Sequence, residues 1–369
     1  MMKTVIIGAS HGGIAAARSL KQLDQKHDVV LIDQRSENEL GFISSGINLF
    51  FRGTIDHLKE ATTQANAITD LGIKLVTEKK VIEINKTARE IVMYPIEDEE
   101  KRITITYDNL IVATGTSPLI AARDYPNIKN ILSYKSIKES ELVLESIQKA
   151  ETIAISGTGY IGMELADSLR NSGKKVYLLE GSQEMLFRYF DQEMVQELRK
   201  RVNASNIELI PYEIGMDYEI VKNKIKTIRL RNREIPIELL ILPDSIYTNV
   251  EIVENIITMN IDNTVSEDGS CRTSDPHIFA VGDIVPIVYP HHQTQIFMPL
   301  LSRAVRMGRI AAMNICGEEV QGDLVHKISG TVIFGQFLGS AGLTEEEAPL
   351  FGFSVGSIQG NFPLQTKFS

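Results

Sequence analysis

Cysteine is close to absent: the 369 residues hold two, Cys271 and Cys316, too far apart to form a redox or zinc motif with each other. A disulfide framework is excluded, and each thiol reads as a small buried hydrophobe. Basic residues are also in deficit, with 38 Lys and Arg against 48 Asp and Glu for a formal charge of −10, and they form no block or stripe. That argues against nucleic acid and anionic membrane as partners. No apolar run approaches the ~20 residues of a membrane span. The TVIIGA after Lys3 lacks the length and cleavage site of a secretory leader. The expected location is the cytoplasm.

What is present is the material for real cores. A hydrophobic content of 43% with 23% charged residues is that of a folded globular chain, and the length argues for two or three domains. KTVIIGASHGGIAAARSLKQL reads as a β-branched strand, a glycine turn and a helix, and DVVLID as a second buried strand ending in Asp33. A helix is expected over 57–71, then β-rich runs with the charged segment EDEEKR as a solvated hairpin tip. ETIAISGTGYIGMELADSLRNSGKKVYLLEG repeats the strand, glycine turn, helix, strand cycle and ends at Glu180. Further strands follow, then the buried strand within TSDPHIFAVGDIV and a long apolar-faced helix over 294–315.

Each glycine turn carries a chemical reading. Gly8, Ser10 and Gly13, with an extra Gly12, fill the G-x-G-x-x-G positions between strand and helix. The first glycine allows the tight turn, the small second residue lets backbone approach a pyrophosphate, and the third lets the helix pack on the strand. Unpaired N–H groups at the helix start then face the phosphates. Asp33 stands 20 residues past Gly13, where a carboxylate accepts hydrogen bonds from a ribose. Gly157, Gly159 and Gly162 give the pattern a second time, with Glu180 18 residues past Gly162. One such turn could be purely structural; two in the same context imply two dinucleotide sites. Glu180 would repel the 2′-phosphate of NADP, and no arginine precedes Arg188 to bind it, so NADH is favoured.

GASHGG at 8–13, VATG at 112–115, GTGYIGME at 157–164 and FAVGD at 279–283 stand in an order and spacing that resembles the FAD- and NAD(P)-dependent pyridine nucleotide-disulfide oxidoreductase superfamily. The likeness is greatest to the branch of NADH peroxidase, NADH oxidase and coenzyme A disulfide reductase. The resemblance implies an α/β fold with two doubly wound Rossmann-like domains, the second inserted in the first, plus a partial C-terminal α+β dimerisation-type domain. Residues 1–114 with 250–325 would form the FAD domain, 115–249 the NADH domain, and 326–369 the C-terminal part. FAD would be held by Gly8, Ser10, Gly12, Gly13, Asp33, Thr114, Gly115, Gly282 and Asp283, with Asp283 on the ribityl chain. NADH would be held by Gly157, Gly159, Gly162 and Glu180. Tyr160 matches the aromatic residue that covers the flavin until nicotinamide displaces it, and Glu164 the acid beside it; the plain alternative for Tyr160 is a packing tyrosine.

The branch carries one reactive cysteine in a segment matched here by GFISSGINLF, and its position falls on Ser45. Serine has no sulfenate or mixed-disulfide cycle, so peroxide and disulfide reduction by the family mechanism are expected to be absent. His11 matches a histidine that lies near that sulfur, and here it either hydrogen-bonds Ser45 or positions the flavin end of the pocket. A hydrolytic Ser–His pair is disfavoured because no acidic partner or oxyanion motif accompanies it. His291 and His292 are adjacent, point apart and have no third ligand at zinc spacing, so no metal is expected.

The resembled family ends in a third domain that makes its dimer interface. Residues 326–369 match only its beginning, around GTVIFGQFLGSAGLT, and are too few for a core of their own. They are expected to pack on the rest or to be partly mobile, which leaves a homodimer in doubt. The expected activity is hydride transfer from NADH to FAD and on to oxygen, a quinone or another small-molecule acceptor without a cysteine relay. The alternative is a catalytically lapsed flavin- or nucleotide-binding protein with a binding or regulatory role.

Overall fold

The β-branched runs TVII and DVVLI pair side by side. In the computed structural model, which describes residues 1–119, 127–181, 184–187, 189–211, 216–243, 245–289, 294–322, 327–358 and 360, strands Lys3–Ile7 and Asp28–Ile32 run parallel with Lys3 opposite Asp28. A parallel pair needs a crossover, and helix His11–Leu23 supplies it. The full sheet is all parallel, in the order Ile278–Ala280, Asn109–Val112, Lys3–Ile7, Asp28–Ile32, Lys74–Val76. Val5, Ile6, Leu31, Ile111 and Ile278 are fully buried, as expected for strands covered on both faces.

A second parallel sheet has the order Ile207–Ile210, Lys175–Leu179, Thr152–Ser156, Leu239–Ile241, Ile131–Leu132. It is built wholly from chain lying between two neighbouring strands of the first sheet, Asn109–Val112 and Ile278–Ala280. The two crossings between sheets touch: Thr116–Pro118 pairs antiparallel with Ile246–Thr248. Beside that ladder Thr114 Oγ1 donates to the Asn249 carbonyl at 2.5 Å, and Asn249 Nδ2 donates back to the Thr114 carbonyl at 3.0 Å. Antiparallel three-stranded sheets flank each unit, over 79–106 and 217–236. The EDEEKR segment does join strands Glu90–Pro95 and Ile103–Thr106 and is exposed.

Two expectations need correction. Residues 57–71 do not form one helix but a 3-10 turn at Leu58–Ala61 and a short helix at Asn66–Thr69. Between them the backbone leaves helical bonding: Ile43 N donates to the Ala61 carbonyl and Thr63 N to the Leu40 carbonyl. The helix expected over 294–315 begins only at Leu301. Thr294–Ile296 pairs as a strand with Ile287–Tyr289, and Pro299 disfavours helical backbone in the residue before it.

The C-terminal residues dock on the second unit. Strands Ile328–Ile333 and Gln336–Ala341 form a hairpin whose two-residue turn has φ of 47° at Phe334 and 71° at Gly335, the backbone of a type I′ turn. Ile333, Phe334 and Leu338 are buried in the core around the second sheet, and Ser340 Oγ donates to the Tyr189 carbonyl at 2.6 Å. Lys327 and Glu347 form a fully buried ion pair beneath the hairpin.

Helices His11–Leu23 and Leu301–Ile315 meet backbone to backbone. A Cβ on Gly308 would overlap the Gly12 carbonyl oxygen and stand 2.8 Å from Ala16 N, while one on Gly12 would lie 3.3 Å from the Ala304 carbonyl. Gly308→Ala should therefore destabilise the protein by roughly 1–3 kcal/mol through overpacking, read as a lower urea midpoint at unchanged slope. An unchanged midpoint would show that the helices part freely.

Candidate active site

Both glycine turns take the backbone their sequence demands. Gly8 has φ +107° and Gly157 φ +119°, a region that side-chain-bearing residues avoid. A Cβ on Gly8 would overlap the Ala113 carbonyl. Gly13 and Gly162 face inward, where a Cβ would strike the carbonyls of Gly8 and Gly157, so these two hold helix against strand and do not line the cleft. Ser10 and Gly159 are the helix N-caps, neither making a side-chain cap bond. The first helical bonds run from Ile14 N to Ser10 and from Met163 N to Gly159. The amides of 11–13 and 160–162 thus have no helical partner. These helix starts border one cavity of about 1690 Å³, lined by Gly8, Ser10, His11, Gly12 and Asp33 from one unit and Gly157, Gly159, Tyr160 and Glu164 from the other.

The acids at the two strand ends are both engaged by arginine. Asp33 is nearly buried and accepts from Ala9 N at 2.6 Å, Arg35 N at 2.8 Å and the Arg35 guanidinium at 2.8 and 2.9 Å. Burial works against its charge, but the guanidinium and backbone donors outweigh burial and hold the carboxyl below its ordinary value. Glu180 accepts from Arg199 at 2.8 Å and does not itself line the cavity. Arg199 lies beyond the stretch before Arg188 that the sequence reading considered, and Arg188 itself lies outside the described residues. Asp283, after Gly282 with φ +84°, accepts on one oxygen from Thr116 Oγ1 and from Lys135 Nζ, both at 3.2 Å. Thr114, Gly115, Gly282 and Asp283 all line the cavity, so the crossing ladder forms part of its floor.

The four candidate catalytic residues all border the same cavity. Ser45 caps helix Gly46–Phe51 without a side-chain cap bond. The His11 ring faces the Phe42 carbonyl; burial lowers its pKa from the ordinary 6.5, with Asp283 and that carbonyl opposing. Among the described residues no hydrogen bond joins His11 to Ser45. The Tyr160 ring is packed edge-on against Tyr189, centroids 4.2 Å apart, and Phe190, 5.9 Å apart. Its hydroxyl is buried near that of Ser329 with no partner in good geometry, and burial pushes its pKa up to about 12. Glu164 accepts from Asn48 Nδ2 at 3.1 Å and from Thr331 Oγ1 at 2.9 Å. One carboxylate thereby ties the serine-bearing segment, the second glycine helix and the C-terminal hairpin together.

Neither thiol borders the cavity. Cys271 is fully buried, its Sγ against the Met307 carbonyl at 3.5 Å, and burial pushes its pKa well above the ordinary value. Cys316 caps the far end of helix Leu301–Ile315. His291 and His292 lie outside the described residues, and among the described residues no group of three His, Cys, Asp or Glu could hold a metal ion. No helix among them is long and apolar enough to cross a membrane. Sequence reading missed Arg35, Lys135, Arg199, Asn48 and Thr331. Only Arg35, two residues past the strand-end acid, carried a local signal.

Known proteins are similar to this chain in sequence and fold. A family model described as pyridine nucleotide-disulphide oxidoreductase matches residues 2–308. An NADH oxidase of Enterococcus faecalis is 27% identical over 96% of this chain and 79% of its own length. One of Lactococcus lactis is 28% identical over the same shares. The solved water-forming NADH oxidase from Lactobacillus brevis, bound to NADH, superposes with a TM-score of 0.84 at 21% identity, covering 95% of this chain and 78% of that one. With the family match spanning most of its length and both glycine turns formed as the motif requires, the chain belongs to the pyridine nucleotide-disulphide oxidoreductase family.

Proposed function

We propose that the protein is an FAD-dependent NADH oxidoreductase that passes electrons to oxygen, a quinone or another small acceptor without a cysteine relay. The observation that carries this reading is the shared cavity: two dinucleotide turns open on it, Ser45 borders it, and both thiols stand away from it. Bound FAD would supply the centre that takes hydride from NADH and hands electrons on.

In the division we propose, residues 1–114 with 250–325 hold FAD and 115–249 hold NADH. The orphan amides of 11–13 suit a pyrophosphate, and Lys135 adds a cation on the same cavity wall. Asp283 has its second oxygen available for a ribityl hydroxyl. The amides of 160–162 and Glu180 would receive the second dinucleotide. Tyr160 would cover the inner ring and swing aside for nicotinamide, leaving its contacts with Tyr189 and Phe190. Glu164, braced from two sides, would keep the Tyr160 helix in place. His11, neutral near pH 7, would shape the pocket end by holding Phe42, and the Ser44 and Ser45 hydroxyls would offer hydrogen bonds where relatives of the branch have a sulfur nucleophile.

Anaerobic addition of NADH to the FAD-loaded protein should bleach the flavin stoichiometrically, and Cys271→Ala with Cys316→Ala should leave turnover unchanged. A flavin that stays oxidised with NADH bound would leave only the lapsed binding protein, and loss of turnover in the double variant would restore a thiol mechanism. The His11 environment also sets a pH dependence. Its folded pKa is depressed, so below the ordinary 6.5 the unfolded chain binds the proton first and stability falls with falling pH. His27, likewise lowered by burial, adds to that slope. Stability measured at neutral and mildly acidic pH should therefore fall less steeply in His11→Gln, and a His11 NMR midpoint at or above 6.5 would contradict the assignment.

A further inference from the structure

Glu180 is the residue on which the preference for NADH rests, and in the folded protein it is not a bare carboxylate. It sits at the end of strand Lys175–Leu179, its side chain 10% exposed, with one oxygen 2.8 Å from the Arg199 guanidinium. The same guanidinium approaches Glu184 at 3.7 Å, and Glu184 borders the cavity. Arg199 is placed firmly: it rides on helix Gln192–Asn203, whose Val195, Leu198 and Val202 are fully buried. A guanidinium has five N–H donors in a fixed fork. Here one is spent on Glu180, and the side chain keeps 30% of its surface exposed beside that carboxylate.

Two consequences follow from that geometry. The positive charge cancels much of the field by which Glu180 alone would repel a 2′-phosphate. The spare donors, beside the carboxylate that a ribose edge would meet through the cavity rim at Gly181 and Glu184, match the charge-assisted, forked contacts by which arginine holds phosphate oxygens. A 2′-hydroxyl would donate to Glu180 with the ion pair intact, and a 2′-phosphate would draw the guanidinium from Glu180 toward itself.

We propose that Arg199 is a coenzyme-specificity residue that lets the second dinucleotide site accept NADPH as well as NADH. The proposal rests on the reading of residues 115–249 as the pyridine-nucleotide site. Its test compares wild type, Arg199→Met and Arg199→Lys in two assays. The first is kcat/KM for flavin reduction by NADH and by NADPH. The second is equilibrium binding of ADP-ribose and of its 2′-phosphorylated form, which needs no turnover. Wild type should bind both ligands and use both coenzymes. Arg199→Met should lose at least about tenfold more for the 2′-phosphorylated member of each pair than for the other, with Arg199→Lys in between. Equal losses for both members, or a wild type that fails to bind the 2′-phosphorylated ligand while binding ADP-ribose, would overturn the proposal. If the binding contrast appears but neither coenzyme reduces the flavin, the specificity assignment stands and the oxidoreductase reading falls.

Discussion

At Gly8, Gly13, Gly162 and Gly308 the chain passes so near itself that one added carbon would collide with a carbonyl oxygen. At Gly8 two strand ends meet, and the other contacts bring a helix against a strand end or a second helix; each dinucleotide turn exists because such an approach is possible. The approach leaves the helix-start amides uncovered at the cleft, and it fixes the strand-end acids at the same rim. Helix Leu301–Ile315 is pinned through Gly308 to the helix that follows the first turn. Arg303, near its start, donates to the carbonyls of Val285 and Pro286 at 2.8 and 2.6 Å, so the segment after Asp283 is tied to the same assembly. The glycine turns that border the cavity are therefore held in place by the absence of side chains.

How much of this was legible depended on sequence distance. Strand, turn and helix around Gly8 and Gly157 are local signals, and so are the acids at the strand ends; the nested sheets follow from repeating that local cycle. Arg35 sits close enough to Asp33 to have been suspected. Lys135 and Asp283 are 148 residues apart, and Thr331 and Glu164 are 167 apart; no periodicity reports such meetings. Arg199 lies 19 residues from Glu180 on a separate helix, so a rule that looks for arginine immediately after the strand passes over it. The failures of element assignment have the same origin. The turns between 57 and 71 exist because Ala61 and Thr63 bond to Ile43 and Leu40, and Thr294–Ile296 is a strand because Ile287–Tyr289 lies beside it.

The serine pair at 44 and 45 gains meaning from what surrounds it. A largely apolar cleft that carries hydroxyls at Ser44, Ser45 and Thr116 and the His11 imidazole offers a few hydrogen-bonding groups but no sulfur nucleophile. The more deeply buried cysteine, Cys271, is also the one whose thiol is hardest to ionise, because ionisation would bury a charge. The absence of a thiol from the cavity lining is the feature on which the proposed cysteine-free electron transfer rests.

The nesting of one sheet inside the other also sets an order of assembly. The inner sheet has all five strands once residue 241 has been made, whereas the outer sheet waits for Ile278–Ala280 to take its place beside Asn109–Val112. Although the core on its second sheet still waits for Ile333, Phe334 and Leu338, a chain emerging from the ribosome can therefore complete that sheet before its first. Until then the outer sheet holds an open, apolar edge at Leu110 to Val112, and the ladder between Thr116–Pro118 and Ile246–Thr248 closes the loop that brings the missing strand home.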